Sequence, residues 1–327
     1  MTKLLTAFVV IAGALAANSS ASAQSQDWPN RAVRLIVPFG AGGSSDTLAR
    51  VVAEHLSTTF KQQFVVENRT GAGGMIGVQA IASAPADGYT IGISNVSTLS
   101  LIPIINPANA YHPLNDFQHI AYIAGAPVAF SANPGTGIKT LRQFIDTANK
   151  DKPLTFASSG VGSDGHLMGV AIALSTNTKL EHVPYRATSQ ALTDVVAGHV
   201  ALSTFTLSSS AQFLRAGTLN GLALTSPERM PDYPEVPTFK ELGHPELVGT
   251  TWFSLSGPAK MPADVAEKIN REVTRIVALP DVAARLRRDG FIAQPMNVAD
   301  FTKFVAAEGA KRKPLTERAG LAGKGSN

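Results

Sequence analysis

Two glycine- and serine-rich stretches hold the residues best suited to chemistry. The first is Gly40-Ala41-Gly42-Gly43-Ser44-Ser45-Asp46, and the second is Ser158-Ser159-Gly160-Val161-Gly162-Ser163-Asp164-Gly165. Each follows a short apolar run and precedes a helical pattern. Such a loop offers backbone N–H groups that lack intrahelical partners, at the positive end of a helix dipole. Two such ends aimed into one cleft make a site for an anion. Glycine lets a ligand approach the backbone because it has no Cβ. Serine and threonine add short donors. Either stretch alone reads equally well as an ordinary tight βα turn, but the pair, with shared chemistry, points to a binding site. Asp46 and Asp164 sit at helix starts, where capping is the plainer role for a carboxylate. His166 opens the second helix and suits ligand donation, capping or packing.

Other chemistries compete for the same residues. Gly160-x-Gly162-x-x-Gly165 matches the dinucleotide fingerprint, and Glu181 follows in the next apolar run. An NAD-dependent enzyme is therefore an alternative reading. Against it, the match lies in mid-chain, and an exported protein meets little nicotinamide cofactor. The serines of the loop also suit a carboxylate as well as a pyrophosphate. No nucleophile elbow is present, because Val161 stands where the glycine before Ser163 is needed. The seven histidines are scattered without metal-ligand spacing. Neither catalysis, cofactor nor metal is expected.

The elements that would position these loops repeat along the chain. Val33–Val37 is β-branched, and Leu48, Val51, Val52, Leu56 and Phe60 recur at helical spacing. Phe64-Val65-Val66 starts a second strand. The turn Gly71-Ala72-Gly73-Gly74 leads to a helix at 75–84, and a strand follows at 89–93. Strands are expected at 122–124, 128–130, 154–157, 180–185, 200–205, 221–224, 252–255 and near 291–292. Helices are expected at 140–148, 166–174, 189–197, 263–279, 282–289 and from about 299. The stretch 227–245 holds five prolines and reads as a crossing connection. Residues 320–327 read as a fraying tail. This alternation predicts an α/β fold, with mostly parallel sheets flanked by helices.

The ends and the composition bound the setting. Lys3, the apolar run 4–16 and Ala21-Ser22-Ala23 read as a signal peptide over residues 1–23. The run of about 13 residues is shorter than the roughly 20 that a membrane span needs. The chain has no cysteine, so it relies on neither disulfides nor thiolate metals. Its formal net charge is +4, and one unit of that belongs to Lys3. The basic clusters Arg285, Arg287, Arg288 and Lys311, Arg312, Lys313 fall late in helical patterns, where they suit helix ends and solvated faces. Without interleaved aromatics they do not suggest nucleic-acid binding.

Longer strings are more specific. They include Pro29–Phe39 with Gly42-Gly43 and Asp46, then Val66-Glu67-Asn68-Arg69-Thr70-Gly71-Ala72-Gly73-Gly74-Met75-Ile76-Gly77, then Asp87-Gly88-Tyr89-Thr90. Asp116-Phe117, the 157–167 stretch and His182-Val183-Pro184-Tyr185-Arg186 follow, then Ala223–Arg229 and Val236-Pro237-Thr238. In this order the strings resemble the Bug-type solute receptors of the tripartite tricarboxylate transporter family. The resemblance implies a two-lobe periplasmic binding protein, type II-like, that closes on a small carboxylate. It implies a monomer that delivers its ligand to integral membrane transporter subunits; a ligand-sensing receptor for a signalling system is the alternative. Lobe 1 would span about 24–127 plus 248–327, and lobe 2 about 128–247.

Carried over from the family, the ligand residues of lobe 1 would be Phe39 to Asp46, particularly Ala41, Ser44 and Ser45, with the stretch Ser94 to Thr98, among them Ser94 and Ser97. Lobe 2 would give Ser158, Ser159, Gly160 and Ser163, then Tyr185, Arg186 and Thr188, then Thr204, Phe205 and Thr206. Glu67-Asn68-Arg69 would be structural, fixing the Gly71–Gly74 turn. Two departures bear on specificity. Gly40-Ala41 replaces a proline common in the family's first loop. The stretch Ser203-Thr204-Phe205-Thr206-Leu207 lacks the acidic partner that an amino-acid ligand needs. A di- or tricarboxylate, or an aromatic acid such as a benzene dicarboxylate, is therefore expected. Phe39 and Phe205 suit an apolar wall, and Arg186 suits a distal carboxylate; core packing and a solvated surface are their plainer roles.

Overall fold

The computed structural model describes residues 28–108, 111–148 and 153–323. The expected signal peptide at 1–23 lies outside these residues, and the tail is described only to residue 323.

Two five-stranded sheets form the frame. The first contains β1 (Val33–Val37), β2 (Phe64–Asn68), β3 (Thr90–Asn95), β4 (Phe117–Ala126) and β10 (Thr251–Pro258). Its order is β2-β1-β3-β10-β4, with β10 antiparallel to both neighbours. The second contains β5 (Val128–Ala132), β6 (Leu154–Ser158), β7 (Leu180–Pro184), β8 (Leu202–Thr206) and β9 (Asn220–Leu224). Its order is β7-β6-β8-β5-β9, with β5 antiparallel to both neighbours. Each sheet thus has three parallel strands, then one reversed strand. The chain passes between sheets at Pro127 and returns before Thr251. Each sheet with its helices is one lobe.

The helices are α1 (Ser44–Phe60), α2 (Met75–Ala82), α3 (Ile102–Ile105), α4 (Leu141–Ala148), α5 (Asp164–Thr176) and α6 (Thr188–Val196). They continue with α7 (Leu207–Arg215), α8 (Ala263–Ala278), α9 (Pro280–Arg288) and α10 (Val298–Arg318). The strands read as apolar runs because helices cover both sheet faces, as parallel sheets require. In the first lobe, Leu35, Leu48, Ile93, Phe253 and Ile269 share one core. On the other face, Ile36, Val78, Trp252 and Phe301 share a second. Phe130, Phe144, Phe156 and Phe239 anchor the second lobe. Each such side chain, fully buried, contributes about 1.5–3 kcal/mol.

The last helix does more than close the first lobe. Leu315 of α10 and Ala319 just after it pack with Leu101, Ile105 and Leu167, so an apolar seam joins both lobes.

Three local expectations change. No strand forms at 291–292; Ile292 makes one antiparallel bridge to Gly125. Gly290, at φ 79°, ends α9, Phe291 turns inward, and Ile292 is half exposed. Helix α7 was unread because Ser208-Ser209-Ser210 compete for backbone bonds and mask its pattern. The segment Ser97–Leu101, to which the sequence pattern assigns no element, is a wide helical turn leading into α3, and its side chains are buried.

Candidate functional site

The first Gly/Ser loop runs from the end of β1 into α1. Gly43 occupies the N-cap position, with φ −87° and ψ 173°, and no side chain caps the helix. The first-turn N–H groups therefore lack a side-chain cap, while Asp46 puts a carboxylate in that turn. Ser44 and Ser45 are both buried. Asp46 is not the cap. Its carboxylate accepts from Gly42 N at 3.1 Å, Arg50 at 3.0 Å and Asn68 Nδ2 at 3.0 Å. Burial opposes its ionisation, but the bonds from Arg50, Gly42 and Asn68 outweigh that and hold it below the usual range. Asn68 Nδ2 also donates to Phe39 O at 2.9 Å. Asn68 thus ties the end of β2 to the 39–46 loop, while Arg69 Nε and Glu67 Oε1 pair with each other at 2.6 Å.

The second loop runs from β6 into α5. Here Ser163 is the N-cap and accepts from His166 N at 3.2 Å. The His166 and His182 rings stack at 4.0 Å, and Phe156 stacks on His182 at 4.9 Å. His182 Nε2 lies 2.7 Å from Ser158 Oγ. Gly162 N donates to His166 Nδ1 at 3.3 Å. Burial pushes His166 down to about 4, and burial with the His166 ring pushes His182 down to about 3. Both rings are neutral near neutral pH, so Ser158, Ser163 and His166 form an uncharged strut behind the loop. Asp164 is no cap either. Its N–H donates to Ser97 Oγ at 2.9 Å, and its carboxylate takes Thr251 and Arg312.

Between the lobes lies a cavity of about 50 Å³. One water needs about 10–15 Å³, so the space exceeds a single water. The first lobe lines it with Phe39, Gly43, Ser44, Ser45, Asn95 and Ser97, and β10 adds Thr251 and Phe253. The second lobe adds Val128, Ser159, Asp164 and Gly165. Thr188, Thr204, Phe205, Thr206 and Ser209 complete the wall. Helices α1, α5, α6 and α7 all begin at or beside this wall. No lysine or arginine is among its lining residues.

The structure therefore gathers Phe39, Ser44, Ser45, Ser97, Ser159 and Thr188 at one cavity, with Thr204, Phe205 and Thr206. It puts the other candidates elsewhere. Gly160, Tyr185 and Arg186 line a separate, larger cavity of about 530 Å³ beside the Gly71–Gly74 turn. Phe39 and Ser159 border both spaces. Tyr185 Oη donates to Asp194 at 2.7 Å; burial and that carboxylate push the phenol up to about 12. Gly40, Ala41 and Gly42 meet the 186–189 segment across the lobes. Ser94 is buried within the sheet, 2.8 Å from Ser254 Oγ and 2.7 Å from Ser256 Oγ. Ser158, Ser163 and His166 stand behind the loop.

The glycines of Gly160-x-Gly162-x-x-Gly165 answer to packing. Gly160 and Gly162 adopt φ of 114° and 83°. A Cβ on Gly165 would lie 2.2 Å from Thr204 O. Sequence reasoning missed Val128, Ser209, Thr251 and Phe253 as lining residues, whereas Asn95 falls in the 94–98 stretch carried over from the family. Their signal is topological, because β10 reaches the cavity only by returning from the second lobe. The reading of Arg312 as a solvated cation is also corrected: it is 5 % exposed and paired with Asp164.

Comparison with known proteins bears on this geometry. The model of the tripartite tricarboxylate transporter family receptor (TctC) matches residues 48–321. Protein BugT of Bordetella pertussis (strain Tohama I) is 33% identical over 336 residues, covering 96% of this chain and 99% of BugT. An R. palustris protein solved with adipate is 31% identical, with a TM-score of 0.87, over 90% of this chain and 99% of that one. MatC from Rhodopseudomonas palustris, solved with bound malate, is 28% identical, with a TM-score of 0.84, over 88% of this chain and 99% of that one. With a family match across most of its length and two lobes meeting at a polar cavity, the chain belongs to the tripartite tricarboxylate transporter receptor family.

Proposed function

We propose that the protein is a periplasmic solute-binding receptor, not an enzyme, that captures a small carboxylate between its lobes. It delivers this ligand to integral membrane transporter subunits. The lobes run at about 24–127 plus 248–327 and 128–247. The carrying observation is the cavity wall, where four helix starts and a set of hydroxyls converge without a lysine or arginine. Each helix end supplies roughly half a positive charge, so a carboxylate is held by fixed dipoles and short donors. The relatives solved with adipate and malate support the same ligand class.

The ligand carries carboxylates and no amine. One carboxylate sits against Ser44, Ser45 and Thr206. Phe39, Phe205 and Phe253 flank an apolar middle, aliphatic or aromatic. A longer ligand extends past Phe39 and Ser159 towards Arg186 in the larger cavity. A thermal-shift screen of aliphatic dicarboxylates, tricarboxylates, benzene dicarboxylates and amino acids tests this. Saturation at 100 times Kd stabilises by roughly 2.7 kcal/mol, which such a screen resolves. Stabilisation by amino acids alone would defeat the proposal.

A further inference from the structure

Asp164 is an acid in the wall of a cavity that is argued above to take an anion, and it is 3 % exposed. Left bare, it would oppose that function. At an effective dielectric of ~20, like unit charges roughly 6–8 Å apart weaken binding by about 30- to 100-fold. The carboxylate is not bare. Arg312 Nη1 lies 3.3 Å from Asp164 Oδ1, with side-chain exposures of 6% and 4%. The Thr251 hydroxyl donates to the other oxygen. Both oxygens face lobe 1 groups, although Asp164 belongs to the lobe 2 helix α5.

Arg312 is itself held at both terminal nitrogens, while its buried Nε makes no hydrogen bond among the described residues. Its Nη2 donates to Thr250 O at 2.9 Å, and its Nε faces Glu308 Oε2 at 3.7 Å. Lys311 Nζ meets the second Glu308 oxygen at 3.4 Å. Asp164, Glu308, Lys311 and Arg312 thus form a set with no net charge. A ligand ammonium seeking Asp164 would have to displace a fixed guanidinium.

Resting on the carboxylate reading, we infer that Arg312, which does not line the cavity, sets its charge selectivity by cancelling Asp164, which does. Arg312 is a positioning residue that acts through Asp164. With the pair intact the cavity takes carboxylates and rejects their amine-bearing counterparts. Without the guanidinium, the same cavity becomes an ammonium subsite.

Isothermal titration of the full mature protein with three matched pairs tests this: succinate and aspartate, glutarate and glutamate, adipate and 2-aminoadipate. Wild type binds at least one dicarboxylate and discriminates against its amino counterpart. Arg312→Gln weakens that dicarboxylate by about 30- to 100-fold and narrows or inverts the ratio within the pair. Asp164→Asn moves the ratio the other way, and Arg312→Lys keeps the wild-type ratio. Where Arg312→Gln fails to fold, Asp164→Asn and the Asp164→Asn/Arg312→Gln double variant carry the test, since neither leaves an unpaired buried acid at 164. Both then bind the dicarboxylate, and the ratio is wider in Asp164→Asn. A purely structural role would move both members of a pair together, so an unchanged ratio overturns the inference. Wild-type protein that binds none of the six also overturns it; the carboxylate reading is then decided separately by the wider acid screen.

Discussion

Ser44 Oγ lies 2.6 Å from Thr206 Oγ1, joining the first turn of a helix in one lobe to a strand end in the other. Ser208 and Ser209 hydroxyls crowd the same oxygen at 2.5 and 2.9 Å. A hydroxyl has one proton and two lone pairs, so Ser44 can donate once and accept twice, and these three partners fill that capacity. Ser44→Ala leaves Thr206 and Ser209 bonded to each other at 3.2 Å. The loss is therefore that of one net hydrogen bond, about 0.5–1.5 kcal/mol. Because the contact crosses the lobes, dicarboxylate affinity falls by roughly 2- to 10-fold while the ligand-free melting temperature barely moves. Calorimetric titration and scanning calorimetry read the two. An equal loss in ligand-free stability would contradict this.

Gly40 meets Ala187 across the same divide. A Cβ on Gly40 would lie 2.9 Å from Ala187 Cβ and 3.1 Å from Arg186 O. Gly40 is not in the left-handed region, so alanine adds no backbone strain. The obstacle arises only when the lobes are shut. Gly40→Ala then costs about 1–3 kcal/mol of overpacking in the closed form alone. Ligand affinity drops by about 5- to 150-fold. In small-angle scattering, saturating dicarboxylate contracts the wild-type protein more than the variant. Wild-type affinity in Gly40→Ala would show that closure tolerates the methyl.

The buried histidines set a pH window. Burial pushes His119 and His166 down to about 4; burial and His166 push His182 to about 3. Unfolded histidine titrates near ~6.5. Between these values the unfolded chain binds protons that the folded chain refuses, so stability rises with pH. The stabilisation is complete above ~6.5 and is lost as pH falls towards ~4, at no more than about 1.4 kcal/mol per pH unit for each ring. Asp46, held low, contributes in the same direction only at lower pH. The melting temperature therefore falls from about pH 7 to about pH 4.5, and less steeply in His182→Gln. A flat profile over that range would refute the assignment.

What the sequence made legible follows from local physics. β1 is plain because a β-branched run between turn residues has few other fates, and β6 because Leu154–Ala157 is a short, largely apolar run ending at a Gly/Ser loop. Ser44, Ser45 and Ser159 were found because a Gly/Ser loop before a helix has a chemical meaning of its own. Asp164 was seen only as a cap, since its partner Arg312 lies 148 residues away in sequence. Thr251 and Phe253 come from a strand that crosses back between lobes, and no local pattern encodes that return. Helix α7 hid behind three serines whose side chains favour turns in isolation. Tertiary packing through Leu207 and Ala211 decides its fate instead.

Gly169 in α5 sets helix propensity against packing. Alanine in a helix interior is better than glycine by about 1 kcal/mol. A Cβ at 169, however, would lie 2.1 Å from Phe156 Cε2 and 2.5 Å from its Cζ. That ring is 1 % exposed and stacked against His182, so it cannot swing aside freely. Overpacking of roughly 1–3 kcal/mol therefore outweighs the propensity gain. Gly169→Ala lowers the melting temperature by roughly 2–4 °C per net kcal/mol lost. The displaced ring also pushes on His182, and through it on Ser158 and the loop that holds Ser159 at the cavity. Dicarboxylate affinity then falls together with stability, unlike in Ser44→Ala. Adding Phe156→Leu restores part of both by making room for the methyl. A higher melting temperature in Gly169→Ala would mean that the ring yields and that propensity governs this position.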